Sequence, residues 1–128
     1  MKILLDTCTF LWWIADAPQI SERARELARS PENEVYLSVV SAWEIAVNHN
    51  LGRLPLPQRP QRFVPAMRRA HGFKSLPLEE ESVFHLNRLP DRHADPFDRM
   101  LICQAISGGM VLLTPDEHIT RYPVRCDW

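Results

Sequence analysis

Apolar positions along the chain fall into two kinds of pattern. Short continuous runs, Ile3-Leu4-Leu5, Val35 to Val40 and Met110 to Leu113, have the length and composition of strands buried on both faces of a parallel sheet. Between them lie segments whose apolar residues recur every three or four positions, as on helices. Phe10 to Ala15 predicts a first helix, apolar nearly all round, that Pro18 breaks. Ser21 caps a second helix to about Arg29, where Glu22 and Glu26 face Arg25 and Arg29 across helical turns. A third helix runs from Ser41 to about Asn50, with Ser41 and Glu44 as a capping box and Gly52 as its end. Leu54 to Pro60 is Pro-rich and extended. Gln61 to His71 predicts a basic amphipathic helix with Phe63, Met67 and Ala70 on one face. Phe73 to Leu78 predicts an edge strand, because Pro77 has no place in a central one. A helix from Glu79 to Leu86 and a polar loop from Asn87 to His93 follow.

The helix after that loop carries the clearest local signals. Asp95 suits the N-cap, Pro96 the first helical position, and Asp98 the first turn, where a negative charge meets the helix dipole. Phe97, Leu101 and Ala105, with Ile102 and Ile106 beside them, make a wide apolar face, and Gly108-Gly109 ends the helix. After the Met110 run, Ile119 to Trp128 holds a last turn or a short strand at Val124 to Cys126. Strand and helix alternate throughout, which predicts an α/β fold: three layers, α/β/α, around a mostly parallel sheet of four to five strands.

Composition bounds the class. At 128 residues, 45% hydrophobic and 24% charged, the chain reads as one globular domain, 1–128, with a real core. Three scattered cysteines, Cys8, Cys103 and Cys126, lack metal spacing and fit a reducing cytoplasm better than a disulfide framework. The apolar start imitates a signal peptide, but Asp6 interrupts it and it is too short to span a bilayer, so no membrane association is expected. The net charge of −1 selects no partner, whereas its distribution does. From Ile45 to Leu78 there is no Asp or Glu, while Arg53, Arg59, Arg62, Arg68, Arg69 and Lys74 lie there. Any one of these is equally well explained as a solvated helix face. The acid-free segment as a whole tips towards a polyanion partner, since Arg presents forked donors to phosphate.

Asp6, Glu44, Asp98 and Asp116 come from four separate segments, each at the carboxyl end of a strand or in the first turn of the next helix. Open α/β sheets place their sites at that edge. Helix capping alone explains any one of these acids. Four together repel strongly unless a cation is present, and oxygen-only donors favour Mg²⁺ or Mn²⁺ over zinc. A site of that kind suits hydrolysis of a phosphodiester. Thr7, Ser41 and Thr114 are placed to hydrogen-bond the carboxylates or a phosphate oxygen. Asp95 is chiefly a cap, and His93 a loop group rather than a ligand.

Taken in order, Leu4-Leu5-Asp6-Thr7, Ser41-x-x-Glu44-Ile45, Asp95-Pro-Phe-Asp98-Arg99-Met-Leu-Ile102 and Thr114-x-Asp116 resemble the PIN-domain ribonucleases, in particular the VapC-type toxins of bacterial toxin–antitoxin pairs. The resemblance implies a PIN-like fold and a metal-dependent endoribonuclease whose metal site is Asp6, Glu44, Asp98 and Asp116. It also implies a small antitoxin as partner and a homodimer. Two positions depart from the pattern: Pro115, where a basic residue is common, and Asn48-His49, where a Lys is often found. Arg99, Arg68 and Arg69 are the expected RNA contacts. Phe10, Trp12 and Trp13 are the expected antitoxin contacts, because two adjacent Trp cannot share one helical face and at least one must point away from the core. A haloacid-dehalogenase phosphatase would need an acid at Cys8, and a receiver domain an acidic pair after the first strand. A PIN-like nuclease without a toxin role, or a silent RNA-binding module, are the remaining alternatives. All four acids being present argues against the last.

Overall fold

A computed structural model of the chain describes residues 1–91 and 95–128. Five strands form one parallel sheet: β1 (Lys2–Leu5), β2 (Glu34–Ser38), β3 (Lys74–Leu76), β4 (Val111–Leu113) and β5 (Cys126–Asp127), in the spatial order β3-β2-β1-β4-β5. β1 is central, with Ile3 opposite Val35 on one side and Val111 on the other. Seven α-helices are described: α1 (Thr7–Ile14), α2 (Glu22–Arg29), α3 (Val39–Asn50), α4 (Pro60–Ala70), α5 (Glu80–Phe84), α6 (Pro96–Gly108) and α7 (Glu117–Thr120).

Successive strand residues point to opposite faces, so the continuous apolar runs feed two cores. Ile3, Leu5, Val35, Leu37 and Leu113 pack with Phe10 of α1, Ala24 of α2, Ile45 of α3 and Phe63 of α4. Leu4 and Leu112 pack on the other side with Val40, with Met100, Leu101, Ile102, Cys103 and Ala105 of α6, and with Ile119 and Tyr122. These two cores are the boundaries of the expected three layers.

Several element bounds differ from the sequence reading for local reasons. β2 ends at Ser38, whose hydroxyl accepts the Val40 N–H at 2.9 Å and so caps α3. Val39 and Val40 are therefore helical, and Ser41 and Glu44 lie inside the helix rather than forming its capping box. α1 starts at once after Asp6, which is its N-cap, instead of at Phe10. The last strand is Cys126–Asp127, not Val124 to Cys126, and Ala70 of α4 is exposed. Asp95 caps α6 as its sequence predicts, accepting from Phe97 N at 2.9 Å and Asp98 N at 3.3 Å. Gly109 ends α6 in the left-handed region at φ 62°, which lets Met110 N reach back to Ala105 O at 2.8 Å.

Candidate active site

Because all five strands are parallel, everything that follows a strand emerges at one edge. The order β3-β2-β1-β4-β5 puts the topological switch between β1 and β4, where chains leave the sheet in opposite directions and open a crevice. Asp6 stands at the end of β1 on that crevice, and Thr114 at the end of β4.

Asp6 is 5% exposed and held on both carboxylate oxygens. Thr9 N donates to its Oδ1 at 2.7 Å and Thr114 Oγ1 to its Oδ2 at 2.5 Å. Thr114 Oγ1 in turn accepts the Asp116 N–H at 3.1 Å, so the two acids are tied through one hydroxyl. Thr9, which the sequence reading passed over, also donates its own hydroxyl to Leu113 O at 3.0 Å. The signal was available: an Asp N-cap implies an acceptor for the amide three residues on.

Glu44, half-buried on α3, is braced differently. Thr7 Oγ1 lies 2.7 Å from Glu44 Oε1 and 2.9 Å from Ser41 Oγ. Thr7 has a single hydroxyl proton, and the carboxylate is the stronger acceptor, so Ser41 supplies the proton between the two hydroxyls. Ser41 thus acts on Glu44 through Thr7.

Burial raises the Asp6 pKa above its ordinary value, against the lowering hydrogen bonds from Thr114 and Thr9, and the Asp116 charge adds to the rise. Burial likewise raises Glu44 against the Thr7 hydrogen bond, with Asp95 and Asp6 adding to the rise. Cys8 reports on the whole group. Its side chain reaches solvent, yet the protein around it desolvates the thiol, and the charges of Asp6, Glu44, Asp98 and Asp116 push the same way, to about 11. One thiol therefore feels all four predicted acids. Ion pairs among the described residues include Arg23–Asp127, Arg25–Asp16 and Lys74–Glu34.

The donors fit a hard divalent cation in kind: oxygen only, mutually repelling and partly desolvated. Among the described residues, no three His, Cys, Asp or Glu side chains are already gathered tightly enough to hold an ion. Asp95 spends its Oδ1 on capping α6 but adds its charge to the field at Glu44.

The other expected site residues are placed less uniformly. Arg99 donates from Nη1 to Pro90 O at 2.9 Å and to Tyr122 Oη at 3.0 Å. Arg68 lines a cavity of about 780 Å³ between α3 and α4, and Arg69 is exposed. None of the four acids lines that cavity. Phe10 is 0% exposed and belongs to the core, which corrects its assignment as a partner contact: α1 begins three residues earlier than expected and turns Phe10 onto the sheet. Trp12 and Trp13 are half-buried. Trp12 meets Trp128 edge-on, and Trp13 donates its indole N–H to His71 Nδ1 at 3.2 Å beneath the Arg29 guanidinium. The tryptophan that is most open is Trp43 of α3, 55% exposed, which the sequence reading missed. His93 lies outside the described residues.

Comparison with known proteins agrees with this architecture. The PIN domain family model matches residues 3–124, and the chain belongs to the PIN domain family. Ribonuclease VapC16 of Mycobacterium tuberculosis (strain ATCC 25618 / H37Rv) is 31% identical over 102 residues, 80% of this chain and 68% of the relative. Among solved structures, VapBC2 from Rickettsia felis bound to a promoter DNA fragment superposes with a TM-score of 0.73 at 15% identity, covering 99% of this chain and 98% of that one. DNA-bound VapBC from Salmonella typhimurium gives 0.68 at 21%, covering 99% and 97%. At those identities the structures speak for the fold, a VapC-like PIN fold. No helix of the described residues is long and apolar enough to cross a membrane.

Proposed function

We propose that this chain is a divalent-metal-dependent endoribonuclease, the toxin of a toxin–antitoxin pair, with 1–128 as one nuclease domain. The observation that carries the reading is geometric: at the switch point of a PIN fold, Thr114 holds Asp6 and the Asp116 amide through one hydroxyl, and Thr7 braces Glu44 across from them. The ribonuclease relative supports RNA as substrate.

Asp6 and Asp98 would hold Mg²⁺ or Mn²⁺ directly, and Glu44 and Asp116 directly or through water. Such an ion supplies charge neutralisation on the phosphodiester and its leaving oxygen. The chain's own part is to orient and to move protons. Thr9 and Thr114 fix both Asp6 oxygens, so that carboxylate is presented without rotational freedom. Thr7 fixes Oε1 of Glu44 and leaves Oε2 to face a water; with its pKa raised, Glu44 is the acid best suited to accept that water's proton. Arg69 and its basic neighbours on α4 would follow an RNA backbone.

Solved structures of this fold include VapBC assemblies and a toxin–antitoxin complex from Klebsiella pneumoniae, which supports a small antitoxin as the partner here. Its surface on this chain would be the half-exposed Leu11, Trp12, Trp13 and Ile14 of α1, without Phe10. The homodimer belongs to the same reading: Val39 and Trp43, one turn apart on α3 and 41% and 55% exposed, with Leu78, form the apolar surface for a second copy. Cleavage of RNA by the purified protein in Mg²⁺ or Mn²⁺, and its loss in EDTA, tests the activity. Growth on induction, alone and with the neighbouring small reading frame, tests the toxin role; unimpaired growth with an active nuclease would remove that role and leave the nuclease.

A further inference from the structure

Arg99 stands where helix physics disfavours it. It follows Asp98 in the first turn of α6, at the positive end of the dipole, and it is half-buried. Both protons of its Nη1 are used: one goes to Pro90 O at 2.9 Å, the other to Tyr122 Oη at 3.0 Å. The guanidinium carbon also lies 5.9 Å from the Tyr122 ring centroid, within cation–π range. Tyr122 is 3% exposed and packed in the core beside Ile119, so its hydroxyl is a fixed anchor.

The two acceptors belong to the two segments that carry the acids on this side of the crevice. Pro90 precedes Asp95 and α6 in the chain. Tyr122 follows α7, whose N-cap is Asp116, and its N–H is bonded to Ile119 O at 3.0 Å. Arg99 N is itself bonded to Asp95 O at 3.1 Å. A single planar side chain, adjacent to Asp98, thereby joins the start of α6 to the chain that leaves Asp116.

From this geometry we infer that Arg99 is a positioning residue: it sets the separation of Asp98 from Asp116 by clamping Pro90 and Tyr122, rather than gripping RNA. The inference rests on the carboxylate-site reading and adds a residue to it.

The test compares wild type, Arg99→Lys, Arg99→Met, Tyr122→Phe and Asp6→Asn, each checked by thermal melting. Mn²⁺ is titrated into the RNA-free proteins and followed by electron paramagnetic resonance, and kcat and KM are measured on RNA. Loss of a group that orients ligands typically costs ~10–100-fold in metal affinity or activity, and Arg99→Met is expected in that range. Arg99→Lys should recover part of it, and Tyr122→Phe, which keeps the ring and removes one acceptor, should show a smaller loss of the same kind with KM unchanged. A raised KM with unchanged kcat and Mn²⁺ affinity in Arg99→Met, and a silent Tyr122→Phe, would overturn the clamp and restore Arg99 as an RNA contact. If Arg99→Met does not fold, Tyr122→Phe alone decides in the same way. Wild-type protein that binds no Mn²⁺, or that binds it no better than Asp6→Asn, overturns the carboxylate reading and the clamp with it; wild type that binds it with all the clamp variants unchanged overturns the clamp alone.

Discussion

Thr114 Oγ1 donates to Asp6 Oδ2 at 2.5 Å across 108 positions of the chain. This bond closes the switch point: it joins the carboxyl ends of β1 and β4 and, through the Asp116 N–H on the same hydroxyl, orders the next acid as well. Thr114→Val keeps the shape and removes both roles. Cleavage should fall ~10–100-fold, the range for losing a group that orients a metal-binding carboxylate. Stability should fall by about 1–3 kcal/mol, since Asp6 and the Asp116 amide each lose a partner. Steady-state cleavage and urea unfolding measure the two, and wild-type turnover in Thr114→Val would mean that the bond is only structural.

The Thr7 hydroxyl makes the matching contact to Glu44. Thr7→Val should lower kcat by ~10-fold or more with little effect on RNA binding, because it frees Oε1 rather than removing the acid. Thr7→Ser, which keeps the hydroxyl, should retain most activity. Equal losses in the two variants would point to packing of the Thr7 methyl group instead.

Asp6 and Glu44 are both raised by burial, which fixes the sign of a pH effect. Between the unfolded carboxylate pKa and the higher folded value, the folded chain binds more protons than the unfolded one. Stability of the metal-free protein therefore falls as pH climbs through that interval and stays lowered above it. Asp6→Asn should remove much of this slope and melt at a higher temperature than wild type at neutral pH in EDTA, by a few degrees for each ~1 kcal/mol released. Melting curves from the acid side to neutrality check it, and a wild-type protein that gains stability across the interval contradicts the assignment.

Phe10, expected at the surface, is core, and Trp43, for which no role was expected, is the open aromatic. Phe10→Ala should cost about 3–5 kcal/mol, as large-to-small changes in a closed core do. Trp43→Glu should leave the melting temperature nearly unchanged and shift sedimentation towards monomer. A dimer that survives Trp43→Glu and Val39→Glu together excludes the α3 face as the self-association surface.

RNA affinity, measured with the Asp6→Asn protein, should fall steeply with salt if α4 follows the backbone. Arg69→Ala, at an exposed position, should flatten the slope by about one unit of the log–log plot. Arg68 borders the α3–α4 cavity and should contribute less. A slope that Arg69→Ala leaves untouched places the RNA path elsewhere.

Much of the fold was legible because both faces of this sheet are buried. Continuous apolar runs at Ile3 and Val111 can mean little else between amphipathic helices, and caps such as Asp95 act over two or three residues. Parallel topology sends every strand end to one edge, so the placing of Asp6 and Thr114 there followed from order along the chain. Three-dimensional packing decided the rest. Whether Ser38 or Ser41 capped α3 depended on where β2 stopped, which its pairing with β1 and β3 sets. Which aromatic was core turned on a three-residue difference in where α1 begins, since each helical residue rotates the face by about 100°. Thr7–Glu44, Thr114–Asp6 and Arg99–Tyr122 join residues far apart in the chain, and no periodicity encodes a partner at such distance. The sequence by itself determined which residues carry charge and which strand ends they follow; the tertiary structure alone decided how Asp6 and Glu44 are held.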